Sequence, residues 1–309
     1  MMASSANEIW TEILVDGRNM PPTQAVVHLL SEYSNMSIDD VKNIVSNTAE
    51  ISKTKWAEAD RSTPEGLRAF YCSVSNWVFG NIAYHARQAE NRDGPYPALP
   101  VQVADALTAL PPGRHLDFGS GVGTASLLFH RYGWDIALAD VSTPLLEFAR
   151  WRLARADVPA EFIDLNTDAL ADGRYDLITG FNTMAHVPDI QQTITQLRRA
   201  LKPDGLLVFD IDARKPASGN EWFLYQHHHQ VVRGIRALGF ARASRIGALH
   251  AYRRTERSPV VNRCIGAFDR LRFSAVTMIL GSLTRPIRNR IRRVRAGEGR
   301  VLGASAMPR

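Results

Sequence analysis

Apolar residues recur at intervals of three and four along the first hundred residues of the chain. Segments 23–33, 38–55 and 64–89 each show this spacing, which is typical of helices that bury one face. Ser37, which precedes the second segment and is followed by two aspartates, is a helix-start signal. Alternation of apolar and polar residues is missing from this part of the sequence. We therefore expect residues 1–96 to be helical.

From residue 97 onward, short apolar runs alternate with longer segments of helical spacing. Such alternation predicts strand and helix units that build a parallel sheet. Two runs, 241–246 and 248–254, lie close together and predict a terminal hairpin. The fold class expected is α/β with a doubly wound sheet. The parallel strands should begin near residues 115, 135, 160, 175 and 206, and helices should cover 101–110, 145–156, 190–201 and 231–238.

Three glycines at alternate positions, Gly119, Gly121 and Gly123, stand between the first strand and the next helix. They let the backbone approach a ligand without an intervening Cβ and tolerate positive φ. The amides that open the following helix then point at that ligand. Asp140 follows about 20 residues later at the end of the second strand, where a carboxylate can bind ribose hydroxyls. The stretch predicts a site for a nucleotide-like ligand.

The acid at the end of the first strand, Asp117, indicates which nucleotide. Its carboxylate would lie where a dinucleotide places its pyrophosphate, and position 124 is Thr rather than the glycine of a dinucleotide motif. Two unit charges about 4 Å apart interact by about 4 kcal/mol at an effective dielectric of about 20. This interaction repels a phosphate and attracts an ammonium group. S-adenosylmethionine (SAM) fits, whereas an ordinary strand–turn–helix explains the glycines but not the two acids.

The stretch from Asp117 to Gly123 resembles the glycine-rich motif of class I SAM-dependent methyltransferases, with Asp140 at the position of the ribose-binding acid. The loop 183–189 is similar to a segment of the branch that includes ubiquinone and menaquinone biosynthesis methyltransferases, and 202–205 matches a further hallmark of the fold.

This resemblance covers about residues 98–254 and implies a Rossmann-like sheet of seven strands with SAM as cofactor. The expected activity is O-, N- or C-methylation of a small-molecule or lipid-like acceptor. Two alternatives stay open. One is a SAM-binding fold that performs a cyclisation or elimination without methyl transfer, and the other is a non-catalytic scaffold subunit that binds SAM.

The resemblance also implies which residues contact the cofactor. An acidic or amide side chain after the third strand contacts the adenine amino group in the family, which points to Asp164 with Leu165 and Asn166, although an aspartate there is also an ordinary turn former. The expected cofactor residues are Asp117, Phe118, Gly119, Ser120, Gly121, Gly123, Asp140, Val141, Asp164, Leu165, Asn166, Phe181 and Asn182.

An oxygen or carbon acceptor needs a base, and histidine has a suitable pKa. His186, in the loop after the fourth strand, is the first candidate, and His85 is a weaker one. A histidine in that loop can also simply hold the backbone. In the resembling branch a glutamate is frequent where this chain has Ala185, so no role of that glutamate is carried over.

Aromatic residues are concentrated in the segment 70–85 and in an insertion after the fifth strand, 213–230. At helical spacing, aromatics more often pack than bind ligands. The expected substrate residues are Tyr84, Trp222, Tyr225, His227 and His229. No metal is expected, because neighbouring histidines point in different directions and a metal would require further ligands.

The net charge of +6 is unevenly distributed. Residues 258–309 contain eleven arginines against Asp269 and Glu298, a net +9, which leaves −3 for residues 1–257. An apolar stretch beside these arginines suits a helix on an anionic membrane surface. Nucleic acid could also bind this positively charged segment. The ordinary alternative is a tail that is disordered or covered by a partner. Since no nucleic-acid-binding motif accompanies the charge, no nucleic-acid partner is expected.

The two cysteines, Cys72 and Cys264, are far apart and have no metal-ligand spacing, which favours a reducing cytoplasm. The first residues show no signal-peptide pattern, and the apolar runs are shorter than the about 18 residues of a spanning helix. We expect a cytoplasmic protein, peripheral to a membrane at most. Its expected regions are a helical lid or substrate region (1–96), a SAM-binding domain (97–257) and a basic amphipathic or disordered tail (258–309).

Overall fold

The computed structural model describes residues 4–215, 222–232, 234–269 and 271. Six helices precede the sheet, as the apolar spacing predicted. They are α1 (Ala6–Val15), α2 (Pro22–Ser34), α3 (Ile38–Glu58), α4 (Pro64–Ser73), α5 (Trp77–Ala89) and α6 (Leu99–Ala106). The start signal at Ser37 is confirmed, because its hydroxyl accepts the backbone N–H of Asp40 at the first turn of α3.

The segment 64–89, which shows helical spacing throughout, forms two helices rather than one. The chain leaves the helical conformation at Val74 and re-enters it after Asn76. The Asn76 side chain donates a 2.9 Å hydrogen bond to the Ser52 hydroxyl on α3, which fixes the break against a neighbouring helix. Apolar spacing alone does not reveal such a break, because it continues through both halves.

The described residues form one seven-stranded sheet in the order β3-β2-β1-β4-β5-β7-β6, and this confirms the predicted α/β fold. The first five strands are parallel, and β7 is antiparallel to β5 and β6. Their bounds are β1 Arg114–Phe118, β2 Asp135–Asp140, β3 Ala160–Asp164, β4 Tyr175–Gly180, β5 Leu201–Phe209, β6 Phe240–Ile246 and β7 Leu249–Arg254.

The remaining helices lie between the strands and differ from the expected ones mainly at their ends. They are α7 (Thr124–Arg131), α8 (Thr143–Arg155), α9 (Ile190–Ala200) and α10 (His228–Val232). The helix expected over 231–238 is instead the end of α10 followed by a 3₁₀ turn, Ile235–Leu238. Gly234, with a φ of 93°, stands between the two.

The strand order reverses between β1 and β4, because β1 pairs with β2 on one side and with β4 on the other. In open α/β sheets the crevice at such a reversal, beyond the carboxyl ends of the strands, is where ligands bind. The glycine turn after β1 and the acid that ends β2 both lie at this edge.

The N-terminal helices share a hydrophobic core with the α/β part of the chain. Trp10 on α1, Leu29 on α2 and Ile82 on α5 belong to the same fully buried cluster as Leu128 on α7 and Phe148 on α8. Burial of side chains of this size contributes roughly 1.5 to 3 kcal/mol each. The helical region therefore packs as a layer over α7 and α8 and adjoins the crevice.

Residues 259–269 form a last helix after β7. The basic stretch predicted to be amphipathic or disordered lies, beyond residue 271, outside the described residues. Within the described ranges, none of the helices has both the length and the apolar character needed to span a bilayer.

Candidate functional site

The turn after β1 has the backbone geometry that its glycines predict. Gly119, Gly121 and Gly123 have φ values of 70°, 53° and 71°. A Cβ on Gly119 would lie 2.3 Å from the side chain of Thr183, so this position tolerates no side chain. A Cβ on Gly121 would meet only the Asn81 amide, at 3.8 Å. Gly121 therefore borders more open space on the side of α5.

Asp140, at the end of β2, is held by two backbone amides. Its Oδ2 accepts the Gly121 N–H at 2.9 Å, and its Oδ1 accepts the Ser142 N–H at 2.9 Å. Burial raises the pKa of the Asp140 carboxyl, and these backbone donors act in the opposite direction. Each carboxylate oxygen has a second lone pair. The carboxylate is thus oriented in advance and can still accept the two hydroxyls of a ribose.

Asp117, predicted to lie beside the ligand at the end of β1, is buried behind the glycine turn. Its carboxylate is 1% exposed and accepts the Ser126 hydroxyl at 2.7 Å and the Thr179 hydroxyl at 3.5 Å. The physical reason is strand alternation, which places Asp117 on the face of β1 that packs against α7. Burial raises the pKa of the carboxyl to about 6, so it is mostly ionised at pH 7. The negative charge of Asp117 therefore acts on a ligand at a distance, from behind the glycine turn.

His115, which the sequence did not single out, lies two residues before Asp117 on the same strand. It is fully buried, and its Nε2 lies 2.8 Å from the Thr179 hydroxyl. Burial lowers the pKa of the imidazole to about 3, which keeps it neutral. A neutral Nε2–H can donate to Thr179, whose hydroxyl then donates to Asp117. In the sequence, the only signal for this chain of hydrogen bonds is that His115 and Asp117 are two residues apart on one strand.

Asp164, after β3, has the turn-forming role named as its alternative. Its Oδ1 accepts both the backbone N–H and the side-chain amide of Asn166, at 2.9 and 2.7 Å. The same Asn166 amide donates a 2.7 Å hydrogen bond to the Val141 carbonyl, and this bond links the ends of β2 and β3. Leu165 donates its N–H to the Asp140 carbonyl at 3.0 Å. The predicted adenine-side residues are therefore gathered in one place, with the adenine contact itself still a prediction.

Helix α4 packs against the ends of β2 and β3. The Cys72 thiol donates to the Val141 carbonyl at 3.1 Å, and Tyr71 and Trp77 pack in one cluster with Trp222 and the Val141 side chain. The N-terminal helical region therefore lies directly against the adenine side of the crevice.

Buried polar atoms around the crevice are left unpaired. Among the residues that the structure describes, Tyr71 OH, Ser120 Oγ, Ser142 Oγ and Asn166 Oδ1 are buried without a hydrogen-bond partner. An unpaired buried polar atom costs roughly 1 to 3 kcal/mol. These four atoms come from α4, the glycine turn and the ends of β2 and β3. Their convergence fits a polar ligand such as an adenosyl group, which would supply the missing partners.

His186 ends a short 3₁₀ turn, Met184–His186, after β4. Its Nδ1 lies 3.0 Å from the Trp222 carbonyl oxygen. A carbonyl can only accept, so Nδ1 carries the proton and Nε2 carries the lone pair. Burial lowers the pKa of the imidazole, and the ring lies against Tyr71 and Phe223, with centroids 6.2 and 4.8 Å away. In this orientation Nε2 is the ring nitrogen that could accept a proton, and the role of His186 as a base stays a prediction.

His85, the second predicted base, belongs to the packing between helices. Its Nδ1 lies 3.0 Å from the Thr124 hydroxyl, which also accepts a 2.7 Å hydrogen bond from Arg152. The ring packs edge-on against Trp10, and burial, with Arg152 beside it, lowers the pKa of His85 to about 3. His85 is thus engaged in contacts between helices, and its role as a base stays a prediction.

The predicted substrate residues fall into different environments. The Tyr225 hydroxyl donates 2.7 Å to the Val187 carbonyl and so supports the loop that carries His186, while Trp222 supplies the carbonyl that orients it. His227 and His229 are exposed and stack on each other with centroids 5.3 Å apart. Trp222 packs in the same cluster as Tyr71 and Val141, and the substrate role of these residues stays a prediction.

Tyr84 lies on α5 against the end of β5. Burial raises the pKa of its hydroxyl to about 12, and the charges of Asp93, Asp212 and Asp210 act in the same direction. Asp210, directly after β5, was not singled out in the sequence. It is 6% exposed, accepts the Asn182 N–H at 2.6 Å, and has a pKa raised by burial to about 6.

Two of the predicted cofactor residues turn their side chains into the core. Phe118 is 8% exposed, and Phe181 stacks on Phe129 with centroids 6.5 Å apart. Phe118 could therefore meet a ligand only through its backbone, whereas Phe181 is half-buried. Within the described parts of the chain, no three His, Cys, Asp or Glu side chains are grouped so that they could hold a metal ion.

Comparison with known proteins agrees with this geometry. The sequence model of a family described as "Methyltransferase domain" matches residues 89–243. A ubiquinone biosynthesis O-methyltransferase of Alkalilimnicola ehrlichii is 30% identical over 119 residues, which cover 38% of this chain and 48% of that protein. One of Xanthomonas campestris is 31% identical over 146 residues, covering 45% and 61%. The chain thus spans about half the length of the curated relatives it matches.

A solved structure of phosphoethanolamine N-methyltransferase 2 from Haemonchus contortus, in complex with S-adenosyl-L-methionine, is also similar. It is 18% identical, with a TM-score of 0.46, and the similarity covers 56% of this chain and 44% of that one. The family match extends over half of the sequence and includes the glycine turn, Asp140 and the loop of His186. On that match, this chain belongs to the family of proteins that carry the methyltransferase domain.

Proposed function

We propose that this protein transfers the methyl group of SAM to a small-molecule or lipid-like acceptor. The observation that carries the proposal is the Asp140 carboxylate, which two backbone amides hold beside a glycine turn of positive φ. A preoriented carboxylate at the end of β2 suits a ribose diol. Family membership supports the same reading.

Charge favours SAM over a phosphorylated nucleotide. Asp117 and Asp140 are both buried beside the turn, and the charge of Asp140 helps to raise the pKa of Asp117. A pyrophosphate there would meet two carboxylates. A sulfonium compound with an α-amino group would be stabilised by the same field.

In this proposal, Asp140 binds the ribose hydroxyls, and Asp164 and Asn166 lie at the adenine edge. Val141 and Leu165 would flank the base, and the backbone of Gly119 and its neighbours would face the amino-acid end. Asn182 lies at the rim after β4. When bound, the cofactor supplies a methyl group that its positive sulfur has already activated.

The protein's main contribution is then alignment of the acceptor, which can supply roughly 7 to 11 kcal/mol of the barrier. The rings of Tyr71 and Phe223 lie against His186, and Trp222 packs in one cluster with Tyr71. These rings favour an acceptor with an apolar or planar body. His186 Nε2 would accept a proton from that acceptor, with Nδ1–H held by the Trp222 carbonyl. This is the arrangement of a base and its orienting group.

The test is incubation of the purified full chain with SAM and a panel of phenols, catechols, amines and isoprenoid phenols. We expect S-adenosylhomocysteine to form together with a product that has gained one methyl group. A product changed without methyl gain while SAM persists would favour cyclisation or elimination. Tight SAM binding without turnover of any acceptor would favour a scaffold role.

We also propose a cytoplasmic location. Cys72 and Cys264 are both free thiols, and Cys264 is exposed, which suits a reducing compartment. Subcellular fractionation with detection of the full chain tests this, and recovery of the protein in a secreted fraction would contradict it.

A further inference from the structure

The helix that follows β7, residues 259–269, is oriented with its apolar side outward. Val260, Val261, Phe268 and Leu271 are 67%, 46%, 62% and 71% exposed. Among the described residues, the only other exposed large apolar side chain is Tyr96. Positions 260, 261, 264, 268 and 271 follow one another at helical spacing, so these side chains form one stripe. We call this stripe the outward face.

The opposite side of the same helix holds it on the protein through small and polar contacts. Asp269 forms a 2.6 Å ion pair with Arg236, in the 3₁₀ turn before β6. A Cβ on Gly266 would lie 2.4 Å from the Cβ of Ala237, so the backbones approach closely there. Asn262 is 7% exposed. The usual arrangement of a surface helix, apolar side inward, is therefore reversed.

The charge around the outward face indicates what covers it. Arg257 and Arg263 are exposed at its edge. The sequence from 258 to 309 has eleven arginines against two acids, with six of the arginines between Arg285 and Arg295. A second copy of the chain would bring an equally positive segment to the same surface, which disfavours self-association. Nucleic acid would match the charge but would make no use of the exposed Phe268 and Leu271.

We propose that the outward face binds the surface of an anionic lipid bilayer. Phe268, Leu271 and the two valines enter the boundary between headgroups and acyl chains, and the arginines pair with anionic headgroups. Helices that lie in this boundary combine an apolar face with a cationic one, and each arginine near an anionic surface adds to the attraction. The proposal is independent of methyl transfer and of the cofactor.

The experiment is vesicle flotation of the full chain. We expect binding to vesicles of equal parts phosphatidylcholine and phosphatidylglycerol, and little binding to phosphatidylcholine alone. The double variant Phe268→Ser/Leu271→Ser should bind at least about tenfold more weakly, because two apolar side chains no longer leave water. Tyr96→Ser removes an exposed aromatic elsewhere and should leave binding unchanged.

The electrostatic part is tested by Arg290→Gln/Arg292→Gln/Arg293→Gln, which should also weaken binding and make it less sensitive to salt. Since Phe268 and Leu271 are exposed, the double variant Phe268→Ser/Leu271→Ser should keep the unfolding temperature of the wild type and its affinity for S-adenosylhomocysteine. This keeps loss of membrane binding distinct from loss of fold or of cofactor binding.

Three results would overturn the proposal. One is vesicle binding that is the same with and without Phe268 and Leu271. Another is failure to bind anionic vesicles while duplex oligonucleotides bind tightly. The last is a wild-type chain that does not bind vesicles and is a dimer by light scattering, while the double variant is a monomer.

Discussion

The Gly121 N–H donates a 2.9 Å hydrogen bond to Oδ2 of Asp140, and this bond joins the turn after β1 to the end of β2. The two strands are parallel neighbours, with Phe118 opposite Ala139, so the residues that follow them lie side by side. The N–H groups of Gly119 and Ser120 both donate to the Ala139 carbonyl, at 2.7 and 3.2 Å. The Asp140 carboxylate is thus fixed by the backbone before any ligand arrives.

Replacing Asp140 with Asn should weaken the affinity for S-adenosylhomocysteine on the order of tenfold to 100-fold, the value of one or two charge-assisted hydrogen bonds. An asparagine has only one acceptor oxygen for the Gly121 and Ser142 amides. Isothermal titration calorimetry measures the change. Asp135→Asn, at the exposed start of β2, is the matched control and should leave affinity unchanged. Equal affinities in wild type and Asp140→Asn would refute the ribose assignment.

Replacing Gly119 with Ala should destabilise the turn and abolish cofactor binding. The new Cβ would lie 2.3 Å from the Thr183 side chain, at a φ of 70°. Gly173 has a similar φ of 62°, and a Cβ there would meet no atom within 4 Å, so Gly173→Ala carries the backbone strain without the clash. Thermal unfolding and calorimetry compare the two. If both variants are destabilised equally and Gly119→Ala still binds S-adenosylhomocysteine, the close contact between Gly119 and Thr183 is not required for cofactor binding.

Replacing His186 with Gln should lower kcat by roughly 10²- to 10⁴-fold, as expected for loss of a general base, while the affinity for S-adenosylhomocysteine is kept. His28→Gln, exposed on α2, is the control. The neutral imidazole is the active form and burial lowers its pKa, so wild-type activity should fall only below the ordinary histidine pKa of about 6.5. A variant with an unchanged rate would leave His186 as a loop-supporting residue.

Asp117 should make folding stability depend on pH in a defined window. Its folded-state pKa of about 6 lies above the unfolded value of about 3.9, so protonation favours the folded state. That contribution is complete below about pH 4 and is lost as the pH rises through about 6, a loss on the order of 3 kcal/mol.

Denaturant unfolding between these pH values compares wild type with Asp117→Asn, whose amide does not titrate. The free energy of unfolding of the wild type should fall relative to the variant as the pH rises. The exposed Asp105→Asn serves as control. Parallel curves for wild type and Asp117→Asn would show that the carboxyl is not buried as described.

The strands and most helices follow from the sequence because their signal is local. β3 begins at the predicted residue 160, and Asp140 ends β2 as the sequence predicted. Resemblance to known methyltransferases then gave the number of strands. The orientation of Asp117 did not follow, because it depends on which face of β1 meets α7, and β1 is buried on both faces.

Long-range contacts account for the other differences. His85 looked accessible on an aromatic helix, but its surroundings include Trp10 and Arg152, which are distant in the sequence. The tautomer of His186 depends on a carbonyl 36 residues later, at Trp222. Asp210 showed no pattern of its own, since a single acid at a strand end is common. Such environments are set by packing and not by spacing.

The central claim is that the crevice beyond β1 and β2 binds a cationic, phosphate-free adenosyl compound. Competitive calorimetry of the full chain with SAM, NAD and ATP tests it most directly. We expect SAM to bind with micromolar or tighter affinity and neither phosphorylated nucleotide to displace it. Tight binding of NAD or ATP at this site, with SAM excluded, would contradict the account.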